Sequence, residues 1–258
     1  MDASEARAQQ FDRPARPPAA TDDAGFTPAS ISPVIAMAEL DLETDGAALH
    51  RGAALCALAD IESALADLPA GQAGIRLYGR PTLLPMLVAK GPIGRIAAQV
   101  LGSSAIPVRA ILFDKTAAAN WALGWHQDRT VAVAARVAVP EYGPWSVKAG
   151  VQHVEPPFAV IERMVTLRVH LDPVPADNAP LLIARGSHRF GRVPESEIAA
   201  LVAGCETCAC LADRGDVWVY RTPVVHASAP STQQTGRRVV QIDYAADALA
   251  GGLEWAGL

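Results

Sequence analysis

Two textures of hydrophobic patterning divide the chain. From Asp45 to Leu68, the run "DGAALHRGAALCALADIESALADL" sets apolar residues three and four apart, the spacing that makes one helical face apolar. A shorter helix is expected from Gly91 to Leu101. After Ser103 the apolar runs become short and β-branched, bounded by Gly, Pro, Asn or Asp. They read "IPVRAILFDK", "TVAVAARVAV", "RMVTLRVHLD", "APLLIARGS", "DVWVYRTPVVHAS" and "RRVVQIDYA". Six such segments without helices between them predict an antiparallel sandwich or barrel rather than a parallel sheet. The helices would cover one outer face of that sheet.

This pattern predicts a single β-rich domain with flanking helices over residues 31–258, its helical part about 45–102 and its β core about 105–247. Residues 1–30 are rich in Ala, Pro, Asp and Arg with no apolar period, and are expected to form a flexible tail. On "MVTLRVHLD", Thr166, Arg168 and His170 alternate with Val165, Leu167, Val169 and Leu171. The aliphatic face must pack, so the polar face looks either to solvent or into a barrel cavity.

Composition narrows the function classes. Half of the 258 residues are hydrophobic, enough for a sizeable core, and 22 basic against 27 acidic residues leave a net charge of -5. A nucleic-acid or anionic-membrane partner would call for a basic surface. The N-terminus has no apolar signal region, and no stretch reaches the roughly 20 apolar residues of a membrane span. A soluble cytoplasmic protein is expected. Cys205, Cys208 and Cys210 crowd into "CETCAC", half of a zinc knuckle pair, but no second half exists. With Cys56 they read as reduced thiols.

The chemistry starts at "GWHQDRT". If this stretch enters a strand, His126 and Asp128 face one way and Gln127 the other. An imidazole and a carboxylate give a divalent metal two ligands, so a third is needed. His50, His153, His170, His188 and His226 compete for that place, and spacing alone does not choose. The residues after His226 do choose: Ser228 lies two positions on, and Arg237 opens the next strand. A guanidinium and a hydroxyl there can anchor an organic acid beside the metal. Two histidines and one carboxylate with open positions form the ligand face of non-haem iron oxygenases.

Taken in order, "WHQD", "NAPLLIARGSH", "GDVWVY" and "HASAPSTQQTGRR" resemble the phytanoyl-CoA dioxygenase family of iron(II)/2-oxoglutarate oxygenases, over roughly Val108 to Ala245. The resemblance implies a double-stranded β-helix, a jelly-roll or cupin-like core. It implies iron(II) on His126, Asp128 and His226, with Arg237 and Ser228 holding 2-oxoglutarate. Arg168 and Lys115 are further candidates for the acidic cosubstrate, and Gln127, His153, Glu155 and His170 for the substrate pocket. The implied reaction uses dioxygen to hydroxylate a C–H bond of a small molecule, releasing succinate and carbon dioxide. Halogenating relatives carry a small residue in place of Asp128, so a carboxylate here implies hydroxylation or desaturation. Coenzyme A esters are not carried over, because Tyr142 to Phe158 matches no known substrate class. A non-catalytic small-acid-binding barrel and a peptide hydroxylase with the same iron site are the alternative readings.

Overall fold

A computed structural model describes residues 39–72, 74–116, 119–232 and 236–258; the expected 1–30 tail lies outside the described residues. The strands, in chain order, are β1 Ala47–His50, β2 Ile75–Arg76, β3 Ile106–Lys115, β4 Leu123–His126 and β5 Val131–Val133. They continue with β6 Trp145–Lys148, β7 Val151–Val154, β8 Val165–His170 and β9 Leu181–Ala184. The last are β10 Thr207–Cys210, β11 Val217–Arg221, β12 His226–Ser228 and β13 Arg237–Ala245. The helices are α1 Leu58–Leu65, α2 Leu84–Leu87, α3 Gly94–Leu101, α4 Phe158–Glu162 and α5 Glu195–Ala203.

Two antiparallel sheets build the jelly-roll. The major sheet runs β1-β11-β8-β13-β3-β2 and the minor sheet β10-β9-β12-β4, while β5-β7-β6 form a third, flanking sheet. Between the two main sheets, Leu181 and Ile183 meet Ala47, Trp218 and Tyr220 in one buried cluster. On the outer face of the major sheet, Val165, Leu167 and Val169 pack with Val217, Val219, Val240 and Ile242 beneath the helices. This is the outer face on which helices were expected. Leu58, Ile61 and Leu65 of α1 are buried there at helical spacing, each contributing about 1.5–3 kcal/mol by leaving water. The opposite face of β8, carrying Thr166, Arg168 and His170, therefore turns into the barrel.

Several expected boundaries change. The helical pattern over 45–68 yields an α-helix only from Leu58 to Leu65, preceded by a 3-10 turn at Leu55–Ala57, and Ala47–His50 is a strand paired with β11. Gly46 and Gly52, at φ +85° and +61°, bend the chain on either side of that strand. A Cβ on Gly46 would lie 2.5 Å from the His188 ring, so the approach is closed to larger residues. The open edge of β11 supplies a backbone ladder that alanine-rich periodicity does not encode. His50 accordingly ends a half-buried strand. The helix expected from Gly91 begins at Gly94. Of "TVAVAARVAV" only Val131–Val133 is a strand, and Ala134 N–H turns instead to the Glu254 carbonyl. "DVWVYRTPVVHAS" holds two strands, β11 and β12, in different sheets. "CETCAC" enters β10, and its thiols are unpaired. Among the described residues, no helix is long and apolar enough to cross a membrane.

Candidate metal centre

The centre is assembled by strand register. In the minor sheet His226 of β12 pairs directly with His126 of β4, so both imidazoles rise from the same face. Their ring centroids are 4.3 Å apart. The Nδ1 of His126 lies 2.8 Å from the Gly124 carbonyl, and that of His226 lies 2.9 Å from the Val224 carbonyl. A carbonyl only accepts, so in each ring Nδ1 carries the proton and Nε2 keeps a lone pair.

Asp128 lies beyond the end of β4, which stops at His126, so the pair does not occupy alternate positions of one strand as expected. What turns Asp128 toward the histidines is the residue between them. Gln127 is buried, its amide donating to the Gly191 and Pro223 carbonyls at 3.0 and 2.9 Å. Its carbonyl oxygen accepts from Val193 N–H at 2.9 Å. Gln127 is therefore a backbone clamp facing away from the pocket, which corrects its assignment as a substrate residue. One ligand atom from each of His126, Asp128 and His226 lies within 4.8 Å of the others, the one such group among the described residues.

This donor set fits a divalent metal. Asp128 Oδ2 is buried without a hydrogen bond, and its nearest cation, Arg109, is 3.8 Å away. Burial opposes the ionised form of Asp128, but Arg109 and the two imidazoles outweigh it and hold the carboxyl below its usual range. Burial, reinforced by His126, pushes His226 down to about 4 against the pull of Asp128, leaving a neutral imidazole. A carboxylate and two imidazoles then converge with no internal partner at the point of convergence. Behind them, Arg109 Nε donates to Asp243 Oδ2 at 2.5 Å, and Thr166 donates to Asp243 Oδ1 at 3.1 Å. Arg109 stays charged because Asp243 and Asp128 overcome its burial.

A pocket of about 110 Å³, open at its mouth, runs from this triad to a cluster of cations. Arg237 pairs in register with Lys115 across β13 and β3, and Gln241 with Arg168 across β13 and β8. Lys115 Nζ donates to Ser228 Oγ at 3.1 Å and to the Ala229 carbonyl at 2.8 Å, and sits 4.9 Å over the Trp121 ring. Arg168 donates to Gln241 at 2.7 Å, and Arg237 to the Ala179 carbonyl. Among the described residues, no carboxylate lies within ion-pair distance of Lys115, Arg168 or Arg237. Burial, followed by Arg237 and Arg168, lowers the Lys115 ammonium to about 7. Burial and Arg168 bring Arg237 to about 9. Uncompensated buried cations are costly unless an anion joins them.

The structure brings His126, Asp128, His226, Ser228, Arg237, Arg168 and Lys115 to this one pocket. Three other expected substrate residues do not line it. Glu155 is committed to Arg192 at 2.8 Å. His170 is buried deep in the barrel, with neither ring nitrogen hydrogen-bonded. His153 is fully buried on β7, in a separate cleft. The sequence reading missed Arg109, Asp243, Gln241 and Trp121. The first three were accessible by alternation, since Arg109 shares a strand face with Lys115, and Gln241 and Asp243 share one with Arg237.

The profile of the phytanoyl-CoA dioxygenase (PhyH) family matches residues 82–239. The chain belongs to that family. No curated protein sequence matches it significantly. Among solved structures, EctD from S. alaskensis with bound Fe is 18% identical at a TM-score of 0.57, covering 84% of this chain and 78% of EctD. HygX from Streptomyces hygroscopicus, with nickel and 2-oxoglutarate bound, is 14% identical at a TM-score of 0.55, covering 79% and 84%. SnoN, a non-haem α-ketoglutarate-dependent epimerase of nogalamycin biosynthesis, is 16% identical at 0.56, covering 79% and 77%. These likenesses establish the jelly-roll fold.

Proposed function

We propose that the protein is an iron(II)- and 2-oxoglutarate-dependent dioxygenase that hydroxylates a C–H bond of a small molecule, releasing succinate and carbon dioxide. One observation carries the reading: a single pocket has a two-histidine, one-carboxylate face at one end and uncompensated cations at the other. His126, Asp128 and His226 would hold the metal, which when bound supplies the dioxygen and oxo-acid redox chemistry.

The protein's own contribution is placement and charge. The carbonyls of Gly124 and Val224 fix the imidazole tautomers, so both Nε2 atoms are ready to ligate without rotation. Arg109, pinned by Asp243, keeps the Asp128 carboxylate ionised and oriented. Arg237 and Ser228 would take the far carboxylate of 2-oxoglutarate, and Lys115 and Arg168 add positive charge around it. The apolar wall of Ile111, Phe113, Trp121 and Leu123 lowers the local dielectric, strengthening these contacts and excluding water.

The test is succinate release from purified protein given iron(II), 2-oxoglutarate and a metabolite mixture. His126→Ala and Asp128→Ala should each abolish it, and succinate formation indifferent to both changes would sink the reading. Mass spectrometry of the consumed metabolite identifies the outcome. Gain of one oxygen atom supports hydroxylation, whereas an unchanged mass would match the epimerisation named for SnoN.

A further inference from the structure

The cation cluster of the metal pocket contains a nucleophile. Lys115 is 2% exposed, and its Nζ reaches Ser228 Oγ at 3.1 Å and the Ala229 carbonyl at 2.8 Å. Ser228 Oγ turns its own hydrogen to the Ala179 carbonyl at 3.4 Å, which leaves it an acceptor toward Lys115. A neutral amine there places its two hydrogens on these two acceptors and keeps its lone pair free. Burial, then Arg237 and Arg168, lower the ammonium to about 7, so that form is well populated near neutral pH. A desolvated lysine beside other cations is an activated nucleophile.

Two guanidinium nitrogens in the same pocket have no partner. Arg168 Nε and Arg237 Nε are buried and make no hydrogen bond. Arg237 sits directly across from Lys115 in the β13–β3 ladder, and it donates to the same Ala179 carbonyl that Ser228 approaches. Arg168 lies one strand further on, opposite Gln241 of β13. A reagent that converts the lysine into an anion satisfies both nitrogens from within. Carbon dioxide does so by adding only three atoms. The pocket of about 110 Å³ has room for them, since a water in the liquid takes about 30 Å³.

We propose that Lys115 is a reversible acceptor of carbon dioxide, and that Arg168 and Arg237 hold its carbamate when no cosubstrate is bound. The Nζ lone pair attacks the carbon of carbon dioxide, and a nitrogen–carbon bond forms while one C=O π pair moves onto oxygen. The proton lost from nitrogen passes to water, so a buried amine becomes a buried anion without any change of oxidation state. The remaining N–H keeps the Ala229 carbonyl, and the carbamate oxygens accept from the two guanidinium groups. A regulatory consequence rests on the oxygenase reading. The carbamate takes the place offered to the far carboxylate of 2-oxoglutarate, so the carbon dioxide that the reaction releases restrains it as a product.

The test is carbon-13 NMR of metal-free protein equilibrated with labelled bicarbonate and carbon dioxide, with no oxo acid present. A carbamate resonance should appear, and trapping with triethyloxonium followed by peptide mass spectrometry should place it on Lys115. Lys115→Arg and Lys115→Met should both lose that adduct, the first with the positive charge kept. Arg168→Gln and Arg237→Gln should each raise the carbon dioxide concentration for half-occupancy about tenfold or more. No adduct on wild-type Lys115, or unchanged half-occupancy in both glutamine variants, would overturn the proposal. Circular dichroism and thermal melting confirm that each variant is folded. Zinc(II) with 2-oxoglutarate should then discharge the carbamate, while isothermal titration measures cosubstrate binding independently. A carbamate that persists beside bound 2-oxoglutarate would overturn the shared place. Failure of 2-oxoglutarate to bind counts against the oxygenase reading, and the adduct on Lys115 is still decided by the first measurement.

Discussion

Replacing Lys115 with methionine should stabilise the empty protein while weakening its hold on 2-oxoglutarate. Lys115 is 2% exposed and has no carboxylate partner among the described residues, and its ammonium is lowered from 10.5 to about 7. A group whose folded-state pKa lies below its unfolded one binds its proton less well when folded. The cost to stability is therefore fully present below about pH 7 and disappears as the pH rises toward 10.5. At about 1.4 kcal/mol for each tenfold, that gap amounts to about 4–5 kcal/mol. Methionine keeps the length and apolar stem but forfeits the hydrogen bonds to Ser228 and the Ala229 carbonyl, about 1 kcal/mol each. A net gain of about 2 kcal/mol remains. For a domain of this size it raises the melting temperature by about 5 °C. Differential scanning calorimetry of metal-free protein from pH 6 to 10 measures it. A gain that shrinks with rising pH supports the reasoning; a loss of stability, or a gain of the same size at every pH, refutes it.

The same lysine sets a pH dependence for the cosubstrate. Affinity for 2-oxoglutarate, followed by isothermal titration on zinc-loaded protein, should fall as the pH rises through about 7, and Lys115→Met should flatten the profile. Arg237→Gln removes a buried charge-assisted contact worth about 3 kcal/mol, so the KM for 2-oxoglutarate should rise about a hundredfold. An unchanged KM would place the cosubstrate elsewhere. Gln127→Leu strands the Val193 N–H and the Gly191 and Pro223 carbonyls. Urea denaturation should show a loss of about 2–4 kcal/mol; a change below about 0.5 kcal/mol would show that the clamp is dispensable.

The β core was legible because its strands are buried on at least one face and alternate or run aliphatic, as in Val165–His170 and Arg237–Ala245. Ala47–His50 was not, since alanine fits helix and strand alike and the deciding partner, β11, lies about 170 residues away. The candidate site was legible where chemistry is concentrated in rare residue types. Among the five other histidines, His226 could be chosen by its neighbours, and the structure sets it directly opposite His126. The role of Gln127 was hidden because its three partners come from two distant loops. Arg168 was ambiguous in sequence, as an alternating polar residue faces solvent or cavity with the same pattern. The helices packed on the opposite face of β8 decide for the cavity.

The central claim is that His126, Asp128 and His226 hold one divalent metal to which 2-oxoglutarate binds. Anaerobic equilibrium dialysis with iron(II) and labelled 2-oxoglutarate tests it most directly. The account predicts one iron and one 2-oxoglutarate per chain, with cosubstrate binding dependent on metal and both lost in His226→Ala. Stoichiometric 2-oxoglutarate binding without metal, or iron retained undiminished by His226→Ala, would contradict it.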